Sequence, residues 1–243
     1  MTALAAQVRT ELVLTARRGE SVLLLLAIPL GLLLFFSSVD VLPLPPGIDE
    51  PVDFLAPGVL ALAVLSTGMV QTAIGTAFER QYGVLKRLAV TPLGRPRLLG
   101  AKITGVLAIE LGQLIVIGAA AVALGWDPAA GSAGVVVAAV VAGTAAFAGL
   151  GLLMAGRLRG EVTLAAANGL YLVLLLLGGM VIPLEELPGP VEAVARALPS
   201  AALSEILRAA TTGDGAGSAG AWAVLLAWAV AAPLAAAATF RWE

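Results

Sequence analysis

Six stretches of this chain are apolar over enough residues to cross a lipid bilayer, which removes almost every soluble fold from consideration. Spanning about 30 Å of hydrocarbon takes roughly 20 helical residues. The stretches run near Ser21 to Val39, Leu55 to Ala77, Ala101 to Gly125, Ala133 to Ala155, Val162 to Ile182 and Ala221 to Phe240. Their length and unbroken apolarity predict helices, since the strands of a membrane barrel would alternate polar and apolar side chains. Charged residues make up 12% of the chain, against roughly 25% in soluble domains, so no solvated shell could cover the 60% that is hydrophobic. The expected fold is an all-α polytopic membrane protein with six transmembrane helices in a single domain over 1–243.

The connections between these stretches sort the basic residues into two unequal groups. Of the 14 Lys and Arg residues, all but Arg196 and Arg208 fall on the side of the N-terminus: Arg9, Arg17, Arg18, Arg80, Lys86, Arg87, Arg95, Arg97, Lys102, Arg157, Arg159 and Arg241. Asp40, Asp49, Glu50, Asp53, Asp127, Glu185, Glu186, Glu192, Glu205 and Asp214 collect on the other side. Because Lys and Arg are retained in the cytoplasm, both termini are expected there. The first apolar run exceeds the 7 to 15 residues or so of a signal-peptide core and has no small-x-small site behind it, so it reads as a retained anchor.

Several chemistries are excluded by residue type. With no Cys and no His, the chain cannot build a structural zinc site, a cysteine nucleophile, a His-ligated haem or a Ser-His pair. Every Asp lies in an external connection, which rules out paired intramembrane aspartates. No GxxxxGK[ST] loop occurs, so the chain cannot hydrolyse ATP by itself. It reads as a non-enzyme that binds no cofactor and no metal of its own.

Three segments outside the spans carry information. In 1–20, Leu4, Val8, Leu12 and Ala16 share one helical face while Thr10, Arg17 and Arg18 take the other, which fits a helix lying on the cytoplasmic membrane surface; the alternative is a frayed tail. From Glu79 to Lys102 the chain reads ERQYGVLKRLAVTPLGRPRLLGAK, and the spacing of Val84, Leu85 and Leu88 predicts a short separate helix stopping near Thr91, before Pro92. Between Pro183 and Gly220, Pro188, Pro190 and Pro199 mark off two pieces, Val191 to Leu198 and Ser200 to Ala210. The second has Ser200 placed as an N-cap and Glu205 and Arg208 at i,i+3. These pieces are expected to dip into or lie along the outer leaflet. Trp126 and Trp222 fall at outer helix ends, and Phe78, Tyr82 and Trp242 at inner ends, where aromatic rings favour the headgroup region.

Polar residues within the spans are few. Glu110 is the one ionisable residue in the membrane interior, with Gln113 at i+3 on the same face. A buried charge in lipid is expensive, so Glu110 is a functional candidate; it could equally be protonated or packed against another helix as structural glue. Thr67 and Gln71 at i,i+4 with Gly75, and Asn168 and Tyr171 at i,i+3, either line a substrate path or bond helix to helix.

The whole chain resembles the type-2 family of ABC-transporter permeases. Glu79, Arg80, Gly83, Lys86, Arg87, Thr91, Pro92 and Lys102 are similar to that family's motif leading into its third helix, and the Pro199 segment matches more loosely. The resemblance implies that 1–20 is an elbow helix and that 79–98, with Glu79, Arg80, Tyr82, Gly83, Lys86, Arg87, Thr91 and Pro92, is a coupling region that docks on an ATPase. It implies that 183–219 forms paired external helices. It also implies a second permease chain, in a homodimer or a similar heterodimer, and two cytoplasmic ATP-binding subunits that hold ATP and Mg. The cations of that loop could also simply hold it inside against anionic lipid. An interior nearly free of charge suits export of hydrophobic or amphipathic compounds such as drugs, antibiotics or lipids. An ion-coupled secondary transporter working through Glu110 is the alternative. Usage heavy in Ala, Gly, Pro and Arg, with Lys86 and Lys102 the only lysines, points to the cell membrane of a high-GC bacterium.

Overall fold

The computed structural model describes residues 19–39, 50–89 and 94–240, and every regular element among them is helical. In chain order these are α1 (Gly19–Ser37), α2 (Pro51–Gln81), α3 (Val84–Ala89), α4 (Gly94–Ala123), α5 (Ala133–Ala155), α6 (Gly160–Leu176), a 3-10 turn at Leu184–Glu186, α7 (Gly189–Ala195), α8 (Pro199–Thr212) and α9 (Ala219–Thr239). Four helices are long and apolar enough to cross a membrane: Pro51–Gln81, Lys102–Ala123, Ala133–Ala155 and Ala219–Thr239. The stretch Leu26–Ser37 of α1 and the whole of α6, Gly160–Leu176, are apolar but shorter. The chain is thus an all-α polytopic membrane protein. The expected surface helix of 1–20 lies almost wholly outside the described residues, as do Thr91, Pro92 and Trp242.

At the centre of the bundle stands α2. Its most apolar stretch is 89% buried, against 22% for α4 and for α9, whose outer faces are left for lipid. Leu55, Val59, Leu62 and Leu65 are fully enclosed, and α1, α4, α5 and α8 all pack against this helix. Apolar side chains gain nothing by leaving lipid for protein, so close packing and polar contacts must hold the helices together. The glycines of α5 provide such packing. A Cβ at Gly149 would come within 2.5 Å of the nitrogen of Pro233 on α9, and one at Gly151 within 2.6 Å of the carbonyl oxygen of Met69 on α2. The Gly and Ala content of α5 therefore sets how near its two main neighbours can come.

Helix α5 keeps the bounds its apolar run predicts, but the fifth span does not. The sequence suggests a helix from Val162 to Ile182, whereas α6 ends at Leu176 and the chain turns through Gly178 and Gly179, the latter at φ +61°. A left-handed backbone there is favourable only for glycine. The turn drives Met180 into the core against α2, where a Cβ on Gly58 would lie 2.0 Å from the Met180 carbonyl oxygen. Continuous apolarity in this stretch reports burial and not helix.

The outer segment departs from expectation in three details. Leu198, not Ser200, caps α8, because Pro199 takes the first helical position, where its missing N–H costs nothing. Ser200 is instead buried inside the first turn. Glu205 and Arg208 go to different partners: Glu205 accepts from the Ser218 backbone nitrogen at 3.3 Å, while Arg208 donates to the Gly179 carbonyl at 2.7 Å. Helix α8 buries Leu203, Ile206 and Leu207 among α2, α5 and α9, and ends on Gly213 at φ +88°. At the end of the exposed helix α7, Arg196 as the C-cap residue pairs with Glu192 at 2.7 Å, and that hydrogen bond raises the pKa of its guanidinium above the usual arginine range.

Candidate functional site

Two groups of polar residues are assembled by this fold, one in mid-membrane and one at the inner ends of the helices. The first is built around a break in the regularity of α2. Over Ser66–Gln71 the helix widens into a π-turn, a local geometry that disturbs the backbone ladder and recurs at functional sites. Buried on this turn, Thr67 donates to the side-chain oxygen of Gln113 on α4 at 2.7 Å. One residue on, Gly68 lets α4 and α5 close in, since a Cβ there would lie 3.1 Å from Phe147 Cβ and 3.3 Å from Glu110 Oε1.

Glu110 is 1% exposed and shares a short hydrogen bond with the Thr144 hydroxyl of α5. Thr144 also meets the carbonyl oxygen of Val140, one turn back on its own helix, at 2.8 Å. The second carboxyl oxygen, Oε1, is buried with no hydrogen-bond partner among the described residues. Thr67, Glu110 and Gln113 thus meet as one buried polar cluster joining α2, α4 and α5. Thr144 completes it, and the sequence offers little sign of that, because a lone threonine in a Gly and Ala run reads as close packing.

The other interior polar residues lie elsewhere. Gln71 is partly exposed at the end of the π-turn, where the wider winding shifts it off the face that i,i+4 spacing would give it. Asn168 is exposed on α6 and donates back to its own helix at Leu164 O, 2.9 Å away. Tyr171 is half-buried on the same helix.

At the inner ends, the motif residues divide by job. Glu79, at the end of α2, pairs with Lys102 of α4 at 2.5 Å, and Lys102 is 6% exposed. Arg80 donates to the carbonyl oxygen of Leu158, in the turn between α5 and α6, at 2.5 Å. Both charges fasten α2 to its neighbours. Gly83, at φ +71°, then turns the chain into the short helix α3. There Leu85 is buried, while Tyr82, Val84 and Lys86 face outward, with Tyr82 68% exposed and stacked on Phe78. Arg87 follows on α3. After the undescribed 90–93, helix resumes at Gly94, well before the expected Ala101, so Arg95 and Arg97 belong to the inner extension of α4 and not to a loop. What the motif presents outward is a small helix with an aromatic, an aliphatic and a cationic side chain, anchored on both flanks by polar ties.

Among the described residues no group of three or more acidic, His or Cys side chains could hold a metal ion. A comparison with curated proteins finds no match to this chain. The family model described as ABC-2 type transporter matches residues 2–211 of the 243, a stretch that takes in α3, the buried cluster and nearly all of α8. The chain therefore belongs to the ABC-2 type transporter family, as its membrane-spanning permease component.

Proposed function

We propose that this permease is one half of the membrane channel of an ATP-driven exporter in the bacterial cell membrane. On this reading both termini are cytoplasmic, a second permease chain completes the pathway, and two copies of a cytoplasmic ATP-binding subunit supply the energy. ATP and Mg belong to that subunit. The cargo is hydrophobic or amphipathic, because the enclosed polar cluster offers hydrogen bonds but no exposed charge to a highly charged solute.

The observation that carries the proposal is α3. Its flanks are tied by Glu79–Lys102 and by Arg80 to Leu158, so a push on Tyr82, Val84 or Lys86 is delivered to α2, α4 and the α5–α6 turn together. A rigid lever of this kind suits the transmission of domain motion. Replacing Tyr82 with Ala together with Lys86→Glu tests it. The expected outcome is a permease that still inserts but binds its ATPase at least about tenfold more weakly, equivalent to roughly 1.4 kcal/mol. Unchanged co-purification and unchanged cargo-stimulated ATP hydrolysis would count against the assignment.

A second reading, ion coupling through Glu110, draws on the buried carboxyl and its unpartnered oxygen. Uptake into vesicles driven by a pH gradient with no ATPase present, abolished by Glu110→Gln, would establish it instead.

A further inference from the structure

The hydroxyl of Thr144 is in hydrogen-bond contact with two oxygens, Glu110 Oε2 and Val140 O. A hydroxyl carries one proton and donates one hydrogen bond. Val140 O is a backbone carbonyl and can only accept. Both close oxygen–oxygen contacts are full hydrogen bonds, and not halves of one shared proton, when a second proton is present, and among the described residues the carboxyl of Glu110 is the group placed to supply it. The chain of donors then runs in one direction, from Glu110 Oε2–H to Thr144 Oγ1, and from Thr144 Oγ1–H to Val140 O.

We infer that Glu110 is a resident proton site of the permease, a neutral carboxylic acid that fastens α4 to α5 by donating to Thr144. The surroundings agree with a neutral group. Thr144 is its one hydrogen-bond partner among the described residues, and Oε1, left as the carbonyl oxygen of the acid, is buried and unpartnered. An unpaired carbonyl oxygen is tolerable in a buried site, whereas a carboxylate with an open oxygen and no counter-ion is far more costly. Among the described residues no neighbouring element brings a counter-ion. The π-turn of α2 presents Thr67 and Gly68, and α5 presents Thr144 and Phe147. On its buried face α6 carries Thr163, Ala167 and Leu174, with Tyr171 half-buried beside them. From Leu26 to Ser37, α1 has no titratable side chain. On α4 itself the nearest charge, Lys102, is about 12 Å along the axis and paired with Glu79.

Infrared difference spectroscopy of the full-length permease in lipid nanodiscs tests this without ATP or an ATPase, so its result is separable from the transport reading. At neutral pH the wild type minus Glu110→Gln spectrum is expected to contain the carbonyl band of a protonated carboxyl. A pair of carboxylate bands in its place overturns the inference. Gln can donate to Thr144 as the acid does, so that variant is expected to assemble. If it does not, Thr144→Val carries the same test, since valine keeps the volume and removes the acceptor. The protonated-carboxyl band is then expected to shift, and a spectrum superimposable on that of the wild type overturns the inference.

Discussion

The guanidinium carbon of Arg208 lies 4.1 Å from the ring centroid of Phe54, so α8 is fastened to the outer end of α2 by a cation–π contact as well as by packing. The same guanidinium donates to the carbonyl of Gly179, in the turn that follows α6. One side chain therefore holds three separate segments of the outer face. Removing it with Arg208→Ala is expected to cost about 2 kcal/mol, the sum of a partly desolvated cation–π contact and a charge-assisted hydrogen bond. Lysine, which keeps the charge but not the planar fork, should recover only part of this. Unfolding in detergent, monitored by intrinsic Trp fluorescence, measures both.

Gly58 has no room for a side chain, because the Met180 carbonyl would lie 2.0 Å from a new Cβ. Backbone atoms cannot swing aside as a flexible side chain would. Gly58→Ala is expected to destabilise the permease by about 3 kcal/mol, at the upper end of overpacking costs, and to lower the yield of folded protein after membrane extraction. Gly75, where a Cβ meets nothing within 4 Å, is the matched control and should accept Ala with no measurable loss.

The inner motif predicts a separation of effects within one short sequence. Arg80 and Glu79 are engaged with Leu158 and Lys102, so Arg80→Ala and Lys102→Met should each reduce stability, by about 2 kcal/mol for Lys102→Met because Glu79 is left partly buried without its partner. Lys86 is exposed, and Lys86→Ala should leave the unfolding midpoint unchanged. Measuring thermal unfolding of the three variants side by side distinguishes the tie residues from the outward-facing one.

Thr67→Val removes the donor to Gln113 and keeps the shape of the side chain. Interhelical hydrogen bonds within membranes are weak on average, and the expected loss is about 1 kcal/mol. Thr67→Ser should restore most of it. A double-mutant cycle with Gln113→Leu would show coupling of similar size if the 2.7 Å contact carries the effect.

Much of this architecture is legible in the chain because hydrocarbon is an unforgiving solvent. The run Ala133 to Ala155 gives a helix with those same bounds, and Glu110 with Gln113 stands out as the polar stripe that does turn inward. What escapes is whatever apolarity does not distinguish. The residues from Leu177 to Ile182 look like more of the same helix, yet Gly178 and Gly179 break it and tuck Met180 under α2. Thr67, Gln71 and Gly75 look like one face, yet the π-turn separates Gln71 from the cluster. Ser200 resembles a cap until Pro199 claims the position ahead of it. The (E)R of the motif reads as charge offered to a partner, and only three-dimensional neighbours reveal that Lys102 and Leu158 have taken it up.

The π-turn in α2 has a consequence of phase. Each residue advances an α-helix by about 100°, and a turn closed one residue later absorbs one such step. Below Ser66–Gln71 the helix is rotated by about that angle relative to an uninterrupted one. Phe54, under Arg208 at the outer end, and Glu79, opposite Lys102 at the inner end, therefore belong to two different registers of a single helix. Each end answers to its own neighbours, and the phase between them is set at the turn that carries Thr67 and Gly68 into the buried cluster.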